Sequence, residues 1–287
     1  MIPSKYYRIT SNRINKKWIV ISLVLLFILI TAGKAYIDTN VFQVNKVQFV
    51  TDKIPAGSEI SFLQISDVHN KVFGDQNEKL IETVKRIDSD FIVLTGDLVD
   101  RKTTTFSSVF SLVKEFKAIN PNLYFVTGNH EWGNRNTEEL LVGLKKRGVT
   151  ILNNKNTQIT KGDTTINLVG IDNESTNNEN LNLAFDGVSQ EHYTVLLSHS
   201  PTVVQKYQDI PANLILSGHT HGGQVRVPLI GAVIAPDQGF FPELDKGIFE
   251  FGNDQYLYID SGLGTSVAPI RFWNQSQISL VTVVGKN

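Results

Sequence analysis

Five short stretches carry Asp, Asn and His in combinations that bind hard divalent cations. They are Asp67-Val68-His69, Gly96-Asp97-Leu98-Val99-Asp100-Arg101, Gly128-Asn129-His130-Glu131, Ser198-His199 and Gly218-His219-Thr220-His221. The chain has six histidines, and only His192 lies outside these stretches. Histidines scattered through a core or over a surface would not sort this way. Oxygen and nitrogen donors without sulfur suit Mn, Fe or Zn better than a soft metal. Metal-assisted hydrolysis is the chemistry that such a donor set serves.

The spacing sharpens this reading. Asp67 and His69 follow an apolar run, and in an extended segment positions i and i+2 point to one side, where a carboxylate and an imidazole address one cation. His219 and His221 repeat the spacing, bordered by Gly218, Gly222 and Gly223, which let backbone approach a site. Asp97 follows Thr95-Gly96, and its two oxygens suit it to bridge cations about 3.5–4 Å apart. Asn129 follows Thr127-Gly128 and offers a neutral amide oxygen. Taken singly, each has a plainer reading: a surface turn for Asp67 and His69, an Asx-turn for Asn129, a structural histidine for His199. All five together require ligand-type residues to fall by chance at five strand ends.

Those ends belong to a pattern of short apolar runs alternating with helical ones. The runs predict strands at 47–50, 60–65, 91–95, 123–127, 166–171, 194–197 and 214–216, with more near 225–227, 248–251, 256–260 and 278–284. Apolar stripes predict helices around 76–88 (Leu80, Ile81, Val84, Ile87) and 106–117 (Phe106, Val109, Phe110, Val113, Phe116). Asn136, with Glu139 three residues on, predicts a capped helix over 137–147, and Ser200-Pro201 one reaching about Asp209. A β-α-β-α-β start and a strand-rich end imply an α/β (α+β) fold of two mixed sheets packed as a sandwich with helices outside. Every motif follows a predicted strand, where open α/β sheets place ligands.

The N-terminus is set apart. Residues 1–17 hold Lys5, Arg8, Arg13, Lys16 and Lys17 with no acid, and Trp18–Gly33 runs 16 residues without a charge before Lys34. With Ala35-Tyr36-Ile37 the apolar character extends over 18–37, near the length that crosses a bilayer. A buried core helix would show a polar face, and a cleaved signal peptide would use Gly33 or Ala35. An uncleaved anchor accounts best for the length, for Trp18 and Tyr36 at its ends and for a snorkelling Lys34. Basic residues then stay in the cytoplasm, making 1–17 a cytoplasmic tail, 38–45 a linker and 46–287 one extracytoplasmic domain. A net charge of -1 gives no broad footprint for nucleic acid, and a chain without cysteine holds that domain by its core and metals alone.

Read together, the five motifs resemble the signature of calcineurin-like metallophosphoesterases, over about residues 60–270. Ser217-Gly218-His219-Thr220-His221-Gly222-Gly223-Gln224 and Ser261-Gly262-Leu263-Gly264-Thr265-Ser266 are similar to the bacterial YkuE/YaeI-type phosphodiesterase branch. The resemblance implies two sheets flanked by helices and two divalent ions, with Mn the expected one in vitro. It implies Asp67, His69 and His221 on one ion, Asn129, His199 and His219 on the other, and Asp97 between them. It also implies His130 facing the substrate, Asp100 orienting it, and Arg101 as a phosphate contact or a surface ion pair. Two departures stand out. Trp273-Asn274-Gln275-Ser276-Gln277 replaces a Pro-Glu element common in such chains, a change expected to touch a pocket wall and not the metals. Arg8 and Arg13 are not adjacent, so general export fits better than a twin-arginine signal.

The implied substrate is a phosphoester, expected as a diester of lipid or cell-envelope material because no segment between motifs is long enough to form a cap domain. A phosphomonoesterase on small soluble substrates and a non-catalytic, metal-stabilised binding module are the alternatives. Residues 228–247, with Arg271-Phe272-Trp273, read as a lipid-facing or substrate-gripping rim, or as a packed hairpin connection.

Overall fold

The computed structural model describes residues 15–266 and 268–286; Lys5, Arg8 and Arg13 of the expected tail lie outside them. Helix α1 (Lys16–Asn40) starts at Asn15, whose side chain accepts from the Lys17 amide, and its apolar residues from Trp18 to Ile30, apart from half-buried Ile21, point outward. Its 25 residues span about 37 Å at the helical rise per residue. The segment 38–45 is not the expected linker. Asp38 and Thr39 are buried in the last turn of α1, and β1 (Gln43–Thr51) begins three residues after it.

The remaining elements, in chain order, are β2 (Glu59–Ile65), α2 (Glu78–Ile87), β3 (Phe91–Thr95), α3 (Ser107–Ile119), β4 (Leu123–Val126), α4 (Asn129–Trp132) and α5 (Thr137–Lys146). Then come β5 (Thr150–Ile151), β6 (Lys155–Lys161), β7 (Thr164–Gly170), α6 (Leu181–Ala184), β8 (Tyr193–Leu197), α7 (Val203–Lys206) and β9 (Leu214–Ser217). Four two-residue strands follow, β10 (Arg226–Val227), β11 (Gly231–Ala232), β12 (Ile234–Ala235) and β13 (Gly239–Phe240), and the chain closes with β14 (Gly247–Gly252), β15 (Gln255–Ile259) and β16 (Gln277–Gly285).

Two six-stranded sheets form, in the orders β1-β16-β2-β3-β4-β5 and β14-β15-β9-β8-β7-β6. Period-2 alternation decides which side chain goes where. Phe62 and Val93 of the first sheet meet Leu168, Val195, Leu214 and Leu216 of the second between the layers. Leu63, Ile92 and Leu94 turn the other way, onto Leu80 and Val84 of α2, Val113 and Phe116 of α3, and Leu140 and Leu144 of α5. Ile215 and Leu257 face out under Ala184 and Val203. The result is the expected sandwich flanked by helices. β2, β3 and β4 run parallel, as do β8 and β9, so their C-terminal ends open toward one site.

Local expectations fail where tertiary context overrides sequence. Polar β6 (KNTQITK) is an edge strand paired to β7, and its composition hid it. α7 ends at Lys206 instead of about Asp209, with Tyr207 already extended. Asn136 precedes α5, but its side chain makes no capping hydrogen bond.

Candidate metal centre

The five motifs converge. Asp67 leaves β2, Asp97 leaves β3, Asn129 opens α4 after β4, His199 follows β8 and His219 follows β9. The pairs do not reach the site from extended chain. Asp67, His69, Asp97, His219 and His221 all have left-handed backbone, with φ of 51, 47, 53, 70 and 52°. That conformation costs non-glycine residues roughly 1 kcal/mol or more each and persists at sites whose surroundings enforce it. Two glycines make room: a Cβ at Gly96 would strike the His199 ring, and one at Gly218 would strike Ser66 and Asp67.

The donors form three overlapping groups: Asp67, His69 and His221; His69, Asp97 and His130; and Asp97, His199 and His219. Within each group the ligand atoms lie within 4.8 Å of one another. Asp97 stands between the outer two groups, its Oδ2 3.5 Å from His69 Nε2 and 3.2 Å from His199 Nε2. His221 Nε2 lies 3.5 Å from Asp67 Oδ1, and His219 Nδ1 lies 3.1 Å from His199 Nε2. The Asn129 amide sits between His199, His219 and Asp97 on one side and Arg101 on the other. With its oxygen inward it is 3.3 Å from His199 Nε2, and with its oxygen outward it accepts from Arg101 at 2.7 Å.

Each of the four ligand-type histidines has its outer ring nitrogen occupied, which aims the other one inward. His69 Nδ1 meets Asp100 Oδ1 at 2.8 Å, His199 Nδ1 meets the Thr95 carbonyl at 2.8 Å, and His219 Nε2 meets Asp237 Oδ2 at 2.7 Å. His221 Nδ1 faces the Arg271 guanidinium at 3.5 Å. The inward His69 Nε2 is buried without a hydrogen-bond partner. A buried nitrogen aimed at carboxylate oxygens is what a divalent cation completes, so the residues present fit such a group.

Asp100 faces two histidines, its Oδ1 2.8 Å from His69 Nδ1 and 3.5 Å from His130 Nδ1. His130 donates its backbone N–H to Asp97 Oδ1 at 2.8 Å, and its half-buried ring packs edge-on to His69. Arg101, Asp100 and His130 line a cavity of about 920 Å³ over the centre, together with the apolar residues Val225, Ile234, Ala235, Pro236 and Ala268.

Several supporting residues were not assigned these roles from sequence, and Arg271, expected in the rim, is fully buried. Buried Glu131 accepts from the amides of Asp97, Leu98, Val99 and Gly128 at 2.8, 2.8, 3.3 and 2.7 Å, pinning two ligand loops together. We predict that Glu131→Ala destabilises the fold by about 3–5 kcal/mol, since it strands buried donors; denaturant unfolding measures this, and a loss below about 1 kcal/mol would contradict it. Asp237, from the loop expected only as a rim, orients His219. Asn274 donates to the His221 carbonyl at 2.6 Å, and fully buried Arg271 reaches the same oxygen at 3.4 Å. The 273–277 departure was expected to touch a pocket wall and not the metals; instead Asn274 supports the ligand His221.

Burial and neighbouring charges shift how tightly these ligands hold protons. Burial works against the His199 cation, yet the charge and hydrogen bond of Asp97 raise its pKa to about 10. Burial also opposes the His69 cation, but the Asp100 hydrogen bond and the Asp97 and Asp67 charges raise its pKa above the usual value. Burial would raise the Asp97 pKa, but His199 and then His69 hold it well below the carboxylate range. A raised histidine pKa stabilises the cation-free fold fully below about pH 6.5, and that contribution is lost as pH climbs toward about 10. Cations must displace those protons. Titrating Mn into the chain near neutral pH in two buffers of different ionisation enthalpy is expected to show proton release that shrinks toward pH 10. Identical heats in the two buffers would refute this.

A family model for calcineurin-like phosphoesterase matches residues 60–223. An uncharacterized metallophosphoesterase of Bacillus subtilis (strain 168), YkoQ, is 27% identical over 266 residues, 91% of this chain and 97% of its own. A second from that strain, YkuE, is 28% identical over 88% of this chain and 89% of its own. A Bos taurus transmembrane protein with a metallophosphoesterase domain is 27% identical over 78% of this chain and 53% of its own. With the motifs assembled around one divalent-metal centre, the chain belongs to the calcineurin-like phosphoesterases and is a metal-dependent phosphoester hydrolase.

Proposed function

We propose that the chain is a membrane-anchored phosphoesterase with two divalent ions, working outside the cytoplasm on phosphodiesters of lipid or cell-envelope material. The observation that carries this reading is the run of three overlapping donor groups linked through His69 and Asp97, beneath a cavity lined by charged and apolar residues. Asp67, His69 and His221 would hold one ion, Asn129, His199 and His219 the other, and Asp97 both. When bound, such ions supply a water acidic enough to attack at neutral pH and neutralise the phosphoryl oxygens.

The chain's own groups do the rest. His130, on the cavity side of His69, donates a proton to the departing oxygen or stabilises its charge. Asp100 faces both histidines and holds the His69 tautomer. Arg101, lining the same cavity, meets phosphate oxygens. The 16-residue uncharged run in α1 supports a membrane span, the basic residues before it support a cytoplasmic N-terminus, and a bovine relative is named a transmembrane protein.

The test compares bis-p-nitrophenyl phosphate with p-nitrophenyl phosphate, using the full chain in detergent with Mn. A higher kcat/KM on the diester is expected. A preference for the monoester would turn the reading to a phosphomonoesterase on small soluble substrates.

A further inference from the structure

We propose that the loop over residues 228–241, together with Trp273, is a second membrane contact beside the anchor helix, and that the substrate's apolar part stays in that bilayer. This rests on the membrane-anchored phosphoesterase reading and narrows its substrate to one presented from a lipid surface.

The anchor is mounted without a stalk. In its last turn Asp38 accepts from the Asn274 amide at 3.3 Å and the Asp38 carbonyl from the Ser276 amide at 2.8 Å. Thr39 Oγ1 accepts from the Arg271 amide at 2.8 Å, and Gln275 donates to the Val41 carbonyl at 3.0 Å. The helix that enters the bilayer is thus part of the same buried network that touches His221.

This fixes the depth of Trp273. The Lys34 ammonium stands 5.3 Å from the centre of its ring. Lys34 is the first charge after the 16-residue run, which measures about 24 Å of helix against a hydrocarbon core of about 30 Å. Trp273, 52% exposed, therefore sits at the level where acyl chains give way to headgroups, the depth tryptophan favours.

Extended segments carry the rim sideways from there. Phe272 pairs with Gln224 and Arg226, at 3.0 and 2.9 Å; Val233 donates to Val225 at 3.4 Å, and Phe241 to Val233 at 2.9 Å. At a strand spacing of about 4.8 Å, that puts Phe241 within roughly 15 Å of the Trp273 segment. The tips along this path are bare: Leu229, Ile230, Phe240 and Phe241 are 107, 62, 72 and 65% exposed. Leu229 and Phe241 are held outward by left-handed backbone, φ 69 and 55°. Large apolar side chains kept in an unfavourable conformation, facing water beside a membrane helix, mark a surface that meets lipid.

The same loop builds the cavity. Ile234, Ala235 and Pro236 form its apolar wall, and Asp237 is bonded to His219. A phosphate at the metal centre would leave an attached apolar chain running along that wall toward the lipid-facing tips.

The test uses the full chain in phosphatidylcholine–phosphatidylglycerol vesicles. The chain has no cysteine, so Phe241→Cys and, as a control, exposed Leu183→Cys on α6 each take one fluorophore. Nitroxide-bearing acyl chains are expected to quench the label at 241 at least about twofold and leave the one at 183 unchanged. Equal quenching at both positions overturns the contact. In the same vesicles Phe240→Ser/Phe241→Ser is expected to cleave soluble bis-p-nitrophenyl phosphate within about twofold of the parent, while its cleavage of a fluorescent-headgroup phospholipid diester falls roughly tenfold or more. Lipid cleavage unchanged in the variant, with the soluble diester still cleaved, overturns the inference and leaves the phosphoesterase reading intact. A parent chain cleaving neither substrate sinks both.

Discussion

Asp97→Asn is expected to lower turnover by about a thousandfold or more while leaving the fold in place. The substitution keeps the size of the side chain and removes the charge at the carboxylate shared by two donor groups. Asp97 Oδ1 already accepts the His130 amide at 2.8 Å, and Oδ2 faces His199 and His69 at 3.2 and 3.5 Å. An amide has one oxygen to offer and no negative charge to hold two cations near each other. The Asp97 carboxylate also raises the His199 pKa. Turnover and bound metal are to be measured on the same preparation. Near-normal turnover with both ions retained would refute a bridging role.

His130→Ala is expected to act differently, retaining both ions while kcat/KM falls by about 10²–10⁴, the usual contribution of a positioned proton donor. The backbone N–H that holds Asp97 survives the substitution. The lost ring is half-buried at the cavity edge, and its Nδ1 has no hydrogen-bond partner. A leaving group that needs no proton, such as p-nitrophenolate, should suffer less than an alkyl one. Elemental analysis finding an ion missing in this variant would make His130 a ligand or a structural group.

The ligand-type residues were legible because their types are rare and their strands announce themselves. β3 is a run of five buried residues, and Asp97 stands two places past it. The sandwich followed from apolar alternation. Sheet order did not: nothing in the sequence says that β1 lies parallel beside β16 at the other end of the chain. The partners that aim the histidines were equally hidden. Asp237, Arg271 and Asn274 are single residues with no spacing relation to the motifs, recruited by tertiary contact alone. Glu131 lay inside a motif, but its bonds to the amides of another loop have no sequence signature. The left-handed backbone at Asp67 and His69 replaced the extended geometry that i, i+2 spacing suggested, since their surroundings, not propensity, set it. The missing linker has the same cause, with Asp38 and Thr39 held by residues more than two hundred positions away.

The most direct measurement is metal stoichiometry together with hydrolysis on one preparation of the full chain under saturating Mn. About two ions per chain and cleavage of bis-p-nitrophenyl phosphate that vanishes on chelation are the result expected of a centre built around Asp97. One ion or none, with no phosphate ester cleaved, would contradict it.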